Sequence, residues 1–262
     1  MKKILLTLWA FCITCATLQA QNNNEELDIL QPPFENKSLP KIPRFLEVGI
    51  SANAYRGDLN PSYSKWTSSF HIAYRLNRHR YFNSRFGFSI GSVTGENLNY
   101  SFTSTDPEED GRPNNFFKSN LITFHYELQF NLIKTSRYMV YLSQGFGIYR
   151  FLVKNDEGEN LQDIQTSRGK NENYNNFAVM LPTGIGAAYR FANGYALGLQ
   201  ASILNPQTDY VDNISQLSTN NRNDNTLMFK FFLWAPLSKI PVKKISTRNN
   251  INYTRSRALG NW

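Results

Sequence analysis

The sequence predicts an all-β fold, an eight-stranded antiparallel transmembrane β-barrel with short turns on one rim and long loops on the other. Three observations carry this. From Arg44 onward, apolar and polar residues alternate with a period of two in eight runs of about 10–16 residues, where a tilted strand needs ~9–11 to cross a bilayer. The runs are joined alternately by short turns and by long polar connections. The face opposite the large aliphatics and aromatics is mainly Gly, Ser, Thr, Asn, Gln and Ala, whereas a water-facing surface is roughly 25–35% charged. A soluble barrel alternates too, but it would turn that weakly charged face to water.

The elements follow in order. Lys2 and Lys3, the apolar stretch Ile4 to Ala16 and the Ala20-Gln21 junction have the pattern of a secretory signal over residues 1–20. Cys12 and Cys15 lie inside it, and Cys12-Ile13-Thr14 makes a poor lipidation box before Cys15. A chain cut after Ala20 has no cysteine, which excludes thiolate catalysis and Cys-metal sites. Residues 21–43, with Pro32, Pro33, Pro40 and Pro43, read as an irregular leader. The strands are Arg44–Tyr55, Trp66–Leu76, Ser84–Val93, Leu121–Leu132, Arg137–Leu152, Asn176–Phe191, Gly194–Leu204 and Asn225–Pro236. The clearest is the fourth: Ile122, Phe124, Tyr126, Leu128, Phe130 and Leu132 on one face, Thr123, His125, Glu127, Gln129 and Asn131 on the other.

Short connections fall at 77–83, 133–136 and 192–193, and long ones at 56–65, 94–116, 153–175 and 205–224. An even strand number puts both termini on the short-turn side, which in an outer-membrane barrel is the periplasm. Glycines 49, 87, 91, 145, 147, 184, 186 and 198 sit on the inward face, as a narrow lumen requires. Aromatics near strand ends suit the headgroup layer: Tyr55, Trp66, Tyr81, Phe82, Phe116, Phe117, Tyr138, Tyr174, Tyr189, Phe191, Tyr195 and Trp234.

Composition excludes other classes. The 262 residues have negative mean hydropathy and no helix-spanning apolar run beyond the N-terminus, against a helical membrane protein. An aromatic content of 14% is too rich for a disordered chain. The net charge of +8 suggests nucleic acid until it is partitioned. Lys2 and Lys3 leave with the signal, the acid-free tail 238–262 carries six bases, and residues 21–237 are neutral with 20 bases and 20 acids. The basicity is a local feature of one end, and a nucleic-acid partner is not expected.

The inward set holds Glu47, Arg75, Arg85, Glu127, Arg190 and Lys230, with His71 and His125. Buried charges must pair, so these are expected to form a lumen network rather than an open path. Partner docking is expected on the short turns through Arg78, His79, Arg80 and Lys134. In the tail it is expected through Lys239, Lys243, Lys244, Arg248, Arg255 and Arg257. His125 and Glu127 share a face, but no serine stands beside them as an activated nucleophile. The acidic run Asp106, Glu108, Glu109, Asp110, Gly111 lacks the spacing of a dedicated Ca²⁺ loop. No phosphate loop, dinucleotide fingerprint or zinc spacing is present, so no catalytic set, metal or cofactor is expected. A small pore or ligand-binding barrel and an outer-membrane lipid hydrolase are the alternatives.

The segment Gly49-Ile50-Ser51-Ala52-Asn53-Ala54-Tyr55-Arg56-Gly57-Asp58-Leu59-Asn60 resembles the opening of PorG-like outer-membrane barrels of Bacteroidota. Ser51-Ala52-Asn53 stands where a Gly-Gly pair is common. The resemblance continues at Tyr74-Arg75-Leu76-Asn77, Phe117-Lys118-Ser119 and Glu127-Leu128-Gln129-Phe130-Asn131-Leu132. It returns at Thr208-Asp209-Tyr210-Val211-Asp212-Asn213-Ile214-Ser215. It implies an eight-stranded barrel in outer-membrane lipid, associated with periplasmic ring components of type IX secretion and gliding machinery.

Overall fold

The computed structural model describes residues 43–77, 80–100, 111–169, 172–218 and 223–237. The predicted signal, nearly all of the leader, and the tail with Lys239, Lys243, Lys244, Arg248, Arg255 and Arg257 lie outside the described residues. So do Arg78, His79 and the acids at 106–110.

Nine strands make one closed antiparallel sheet: β1 (Arg44–Arg56), β2 (Trp66–Leu76), β3 (Phe82–Glu96), β4 (Phe116–Lys134), β5 (Tyr138–Lys154), β6 (Phe177–Met180), β7 (Thr183–Arg190), β8 (Ala196–Leu204) and β9 (Asn225–Pro236). β1 to β5 pair in chain order, β5 continues to both β6 and β7, β7 pairs on with β8 and β8 with β9, and β9 returns to β1 from Phe45↔Pro236 to Arg56↔Asn225. The ring of β1–β5 and β7–β9 closes on itself, and the far side of β6 is met by the Met180↔Pro206 bridge and the Gln207 N–H on the Val179 carbonyl. β5 pairs with β7 towards the short-turn rim and with β6 towards the long-loop rim, so β6 and β7 are two halves of one stave and the barrel has eight.

The expected single run Asn176–Phe191 is therefore interrupted, at Leu181-Pro182. Proline has no N–H for the ladder. Its carbonyl instead accepts from the Gly145 N–H at 2.9 Å, while the Leu181 N–H donates to the Asn205 carbonyl at 3.0 Å. The third and fourth strands run further than the alternation suggested, because pairing continues past the apolar residues to Glu96↔Phe116. A bulge between Asn131 and Ile133 turns both Leu132 and Ile133 outward.

The apolar face is outside. Ile50, Phe70, Phe124, Phe146, Ile148, Ile185, Leu199 and Phe229 are all exposed, while their strand neighbours Glu47, His71, His125, Glu127, Gln200 and Lys230 are buried. Such a belt is stable against lipid and not against water. No helix among the described residues is long and apolar enough to cross a membrane.

The interior is layered. A large apolar cluster, including Tyr55, Phe117, Tyr149, Phe151, Tyr174 and Met228, fills the long-loop end. A smaller one of Phe45, Met139, Tyr141, Ala188, Ala196, Phe232 and Trp234 fills the short-turn end. Charges lie between. Four expected headgroup aromatics are thereby corrected: Tyr55, Phe117, Tyr174 and Trp234 are buried inside, whereas Trp66, Tyr81, Tyr138, Phe191 and Tyr195 are exposed. In β9 the parity shared with Lys230 carries Trp234 inward, whatever its position near the strand end.

Inward glycines make room for large partners directly across the ladder. His71 faces Gly49, His125 faces Gly87, Tyr141 faces Gly186 and Phe232 faces Gly198. A Cβ on Gly87 would stand 2.4 Å from His125 Nε2, and one on Gly186 would stand 2.4 Å from the Tyr141 ring. The pairs let a narrow lumen hold rings side by side.

Candidate functional site: the lumen network and the loop cap

Arg85 of β3 is the hub of the charged layer. Its Nη2 donates to both Glu127 oxygens at 2.6 Å. Its Nη1 donates to Glu47 Oε1 at 2.9 Å and to Gln200 Oε1 at 2.6 Å. Glu47 of β1 also accepts from Trp234 Nε1 at 2.8 Å, and its Oε2 lies 3.4 Å from Arg75 Nε. The Arg75 guanidinium stacks 3.9 Å from the Trp234 ring centroid and donates to Gln129. His125 Nε2 is 3.1 Å from Glu127 Oε1, His71 Nε2 is 3.6 Å from Glu47 Oε1, and Lys230 Nζ is 3.9 Å from Glu127 Oε1.

Seven of the eight ionisable residues expected in the lumen thus meet in one cluster. Arg190 lies apart from these contacts, half-buried where β7 reaches the short-turn rim. Two arginines and a lysine oppose two carboxylates, and all five side chains are buried. Neither His71 nor His125 hydrogen-bonds a serine, so the cluster offers no nucleophile–base pair. The chemistry it supports is charge neutralisation in a closed interior.

Sequence reasoning missed a second cluster, at the long-loop end. Tyr55 Oη lies 2.5 Å from Asp212 Oδ2 and 2.6 Å from Asp224 Oδ1. A phenol has one proton to give, so it donates to one carboxylate and accepts from the other, which must carry a proton itself. Burial and then the neighbouring acids push both carboxyls up, Asp212 through Asp58 and Asp224 through Asp212. Asp209 is pushed up to about 7 by burial, Asp58 and Glu172.

The surrounding loops are tied to this point. The Val211 N–H donates to Asp224 Oδ2 at 2.8 Å and the Ile214 N–H to Asp212 Oδ1 at 3.0 Å. Asn213, held at φ 73°, receives a hydrogen bond from Tyr174 Oη at 2.9 Å and donates to Ser167 Oγ at 2.9 Å and Asn114 Oδ1 at 3.2 Å. Asn is among the few non-glycine residues that accept that conformation. Gly57 is forced, since a Cβ there would fall 1.7 Å from Tyr55 Oη. The available sequence signal was that Tyr55–Asn60 and Thr208–Ser215 are both polar, turn-rich segments; only the closed barrel sets them together.

The cap is expected to loosen with rising pH. A carboxyl raised from its ordinary 3.8 to about 7 keeps a proton in the folded state that the unfolded chain has already released, so stability falls as pH climbs through that window. Limited proteolysis of loops 111–115 and 205–218 should be slow at pH 5 and faster at pH 9. An Asp209→Asn variant should reduce the difference, with Asp212 and Asp224 left to carry the rest, and equal rates at both pH values in the parent would contradict it.

No family model and no curated protein matches the chain. Among solved structures it is similar to the attachment invasion locus protein Ail of Yersinia pestis, at 10% identity and a TM-score of 0.43, covering 74% of this chain and 98% of that one. It is also similar to Neisserial surface protein A, at 14% and 0.45, covering 73% and 96%. The outer-membrane enzyme PagL follows at 13% and 0.32, covering 73% and 99%. At these values none bears on what the chain does, and the barrel stands on its own closed ladder.

Proposed function

We propose that this chain is a non-enzymatic outer-membrane barrel that passes no solute and serves as accessory or anchor of a type IX-like protein-secretion assembly. Its long loops face outward, and its short turns and basic tail dock periplasmic partners. The observation that carries the docking is the short-turn rim. Arg44, Arg80, Lys134, Arg137 and Arg190 gather there, and no acid stands among the described residues of that rim. A stoppered lumen leaves the rims as the working surfaces, and such a cationic ring suits an acidic partner surface.

The test is affinity purification of the full chain from native membranes, beside an Arg44→Gln/Arg80→Gln/Arg137→Gln variant. Periplasmic ring components should copurify with the parent and fall at least tenfold with the variant. Equal recovery, or no ring component with the parent, would refute docking. Planar bilayers should show no stepwise conductance, and steps lost in Glu127→Gln would make the barrel a pore instead.

A further inference from the structure

We propose that the outward face of β4, β5 and β6, just below the long-loop rim, binds the headgroup of a diphosphorylated outer-leaflet glycolipid. The inference rests on the orientation proposed above, which places this rim in the outer leaflet, and not on the secretion role.

The first observation is a conflict of charge. Lys118 and Lys154 are directly opposite in the β4–β5 register, and like charges so placed repel. They point to the lipid side, on the same strand faces as Phe124 and Ile148. Arg150 lies on that face four residues before Lys154, a backbone separation of about 14 Å at ~3.4 Å per residue. No carboxylate among the described residues pairs with any of the three. Of the nearby turn acids, Glu159 bonds with Asn155 and Asp163 with Asn160, while Asp156 and Glu157 stand exposed at the turn tip and form no ion pair with the three cations. Cations on a lipid-facing strand are costly at the midplane and tolerated at headgroup depth, where an anion can relieve them.

The second observation is a cleft beside Arg150 of about 450 Å³, lined by Arg150, Gln162, Asn173, Asn175, Asn176 and Phe177 among others. The Arg150 guanidinium is 5.6 Å from the Phe177 ring centroid, which fixes its plane at the cleft mouth. The lining is rich in amides, which both donate and accept, as sugar hydroxyls do. Asn176 lines the cleft too, with its Oδ1 buried beneath the surface and without a hydrogen-bond partner. One phosphate would take the fork of Arg150 and the second would sit between Lys118 and Lys154. The sugar would meet the asparagines, and the acyl chains would run down over Ile122, Phe124 and Ile148. A single-headed glycerophospholipid such as phosphatidylglycerol offers one phosphate and no sugar, and matches less of this surface.

The experiment uses the full chain refolded in neutral phosphatidylcholine nanodiscs and titrated with diphosphorylated lipid A, read by native mass spectrometry. One lipid A per barrel should be retained. Binding should weaken at least tenfold in Lys118→Gln/Arg150→Gln/Lys154→Gln and several-fold in Asn176→Ala, which keeps every charge. Heat-modifiable mobility checks folding, and Arg150→Gln alone replaces the triple variant if that fails to fold. Equal retention by parent and variants overturns the proposal. Phosphatidylglycerol binding as tightly as lipid A would reduce the site to bulk charge and overturn the glycolipid. Displacement of lipid A by millimolar inorganic phosphate would make it a free-phosphate site. No secretion partner is present, so these outcomes are separate from the docking test.

Discussion

Arg85→Met is expected to cost the barrel about 3–5 kcal/mol, the range for leaving a buried charge without its partner. Among the described residues, Arg85 is the one side chain that hydrogen-bonds both carboxylates, taking Glu127 through Nη2 and Glu47 through Nη1. Methionine nearly fills the space but leaves Glu47 and Glu127 facing one another's field in a layer sealed by apolar clusters on both sides. Urea titration in lipid vesicles, followed by heat-modifiable mobility and tryptophan fluorescence, should show a much earlier midpoint or failure to refold. Adding Glu127→Gln to Arg85→Met should recover a large part of the loss, because the deficit lies in the orphaned acid rather than in lost volume. An unchanged midpoint in the single variant would mean that water reaches the layer, and the closed-lumen reading would fall with it.

Tyr55→Phe is expected to loosen the loop cap while leaving the barrel wall closed. The phenol is fully buried between Asp212 and Asp224, both fully buried as well. Removing it leaves two carboxyls without their shared partner, at a cost of about 1–3 kcal/mol per buried unsatisfied group. The backbone bonds Asp224 makes to Val211 and Asp212 makes to Ile214 hold the last long loop in place, so the loss is expected to appear as faster proteolysis within 205–218. Heat-modifiable mobility should stay as in the parent. The effect should grow above neutral pH, where the raised acids begin to ionise. Parent-like proteolysis at pH 9 would show that the apolar cluster alone holds the cap.

The barrel was legible in the sequence because period-two alternation is a local signal. Each residue of Ile122–Leu132 declares its side by parity alone, and the run needs no knowledge of its neighbours. The break at Pro182 was equally local, but a tolerated interruption and a continuous strand look alike until the Gly145 and Asn205 partners are known. The lumen charges were legible as a set, since parity places Glu47, Arg75, Arg85 and Glu127 inward. Their pairing was not. That Arg85 and Gln200 meet, 115 positions apart, depends on strand stagger across the lumen.

By itself the sequence determined the fold class, the number of staves, the alternation of short turns and long loops, and which face of each strand is apolar. Those properties follow from side-chain period and turn chemistry within a dozen residues. Only the tertiary structure decided that Tyr55, Phe117, Tyr174 and Trp234 lie inside, that two apolar layers stopper the charged one, and that Asp212 and Asp224 meet at the Tyr55 hydroxyl. Those depend on how a closed barrel staggers its strands and folds its loops back over its own mouth. Contacts made across a lumen join residues that no period along the chain relates.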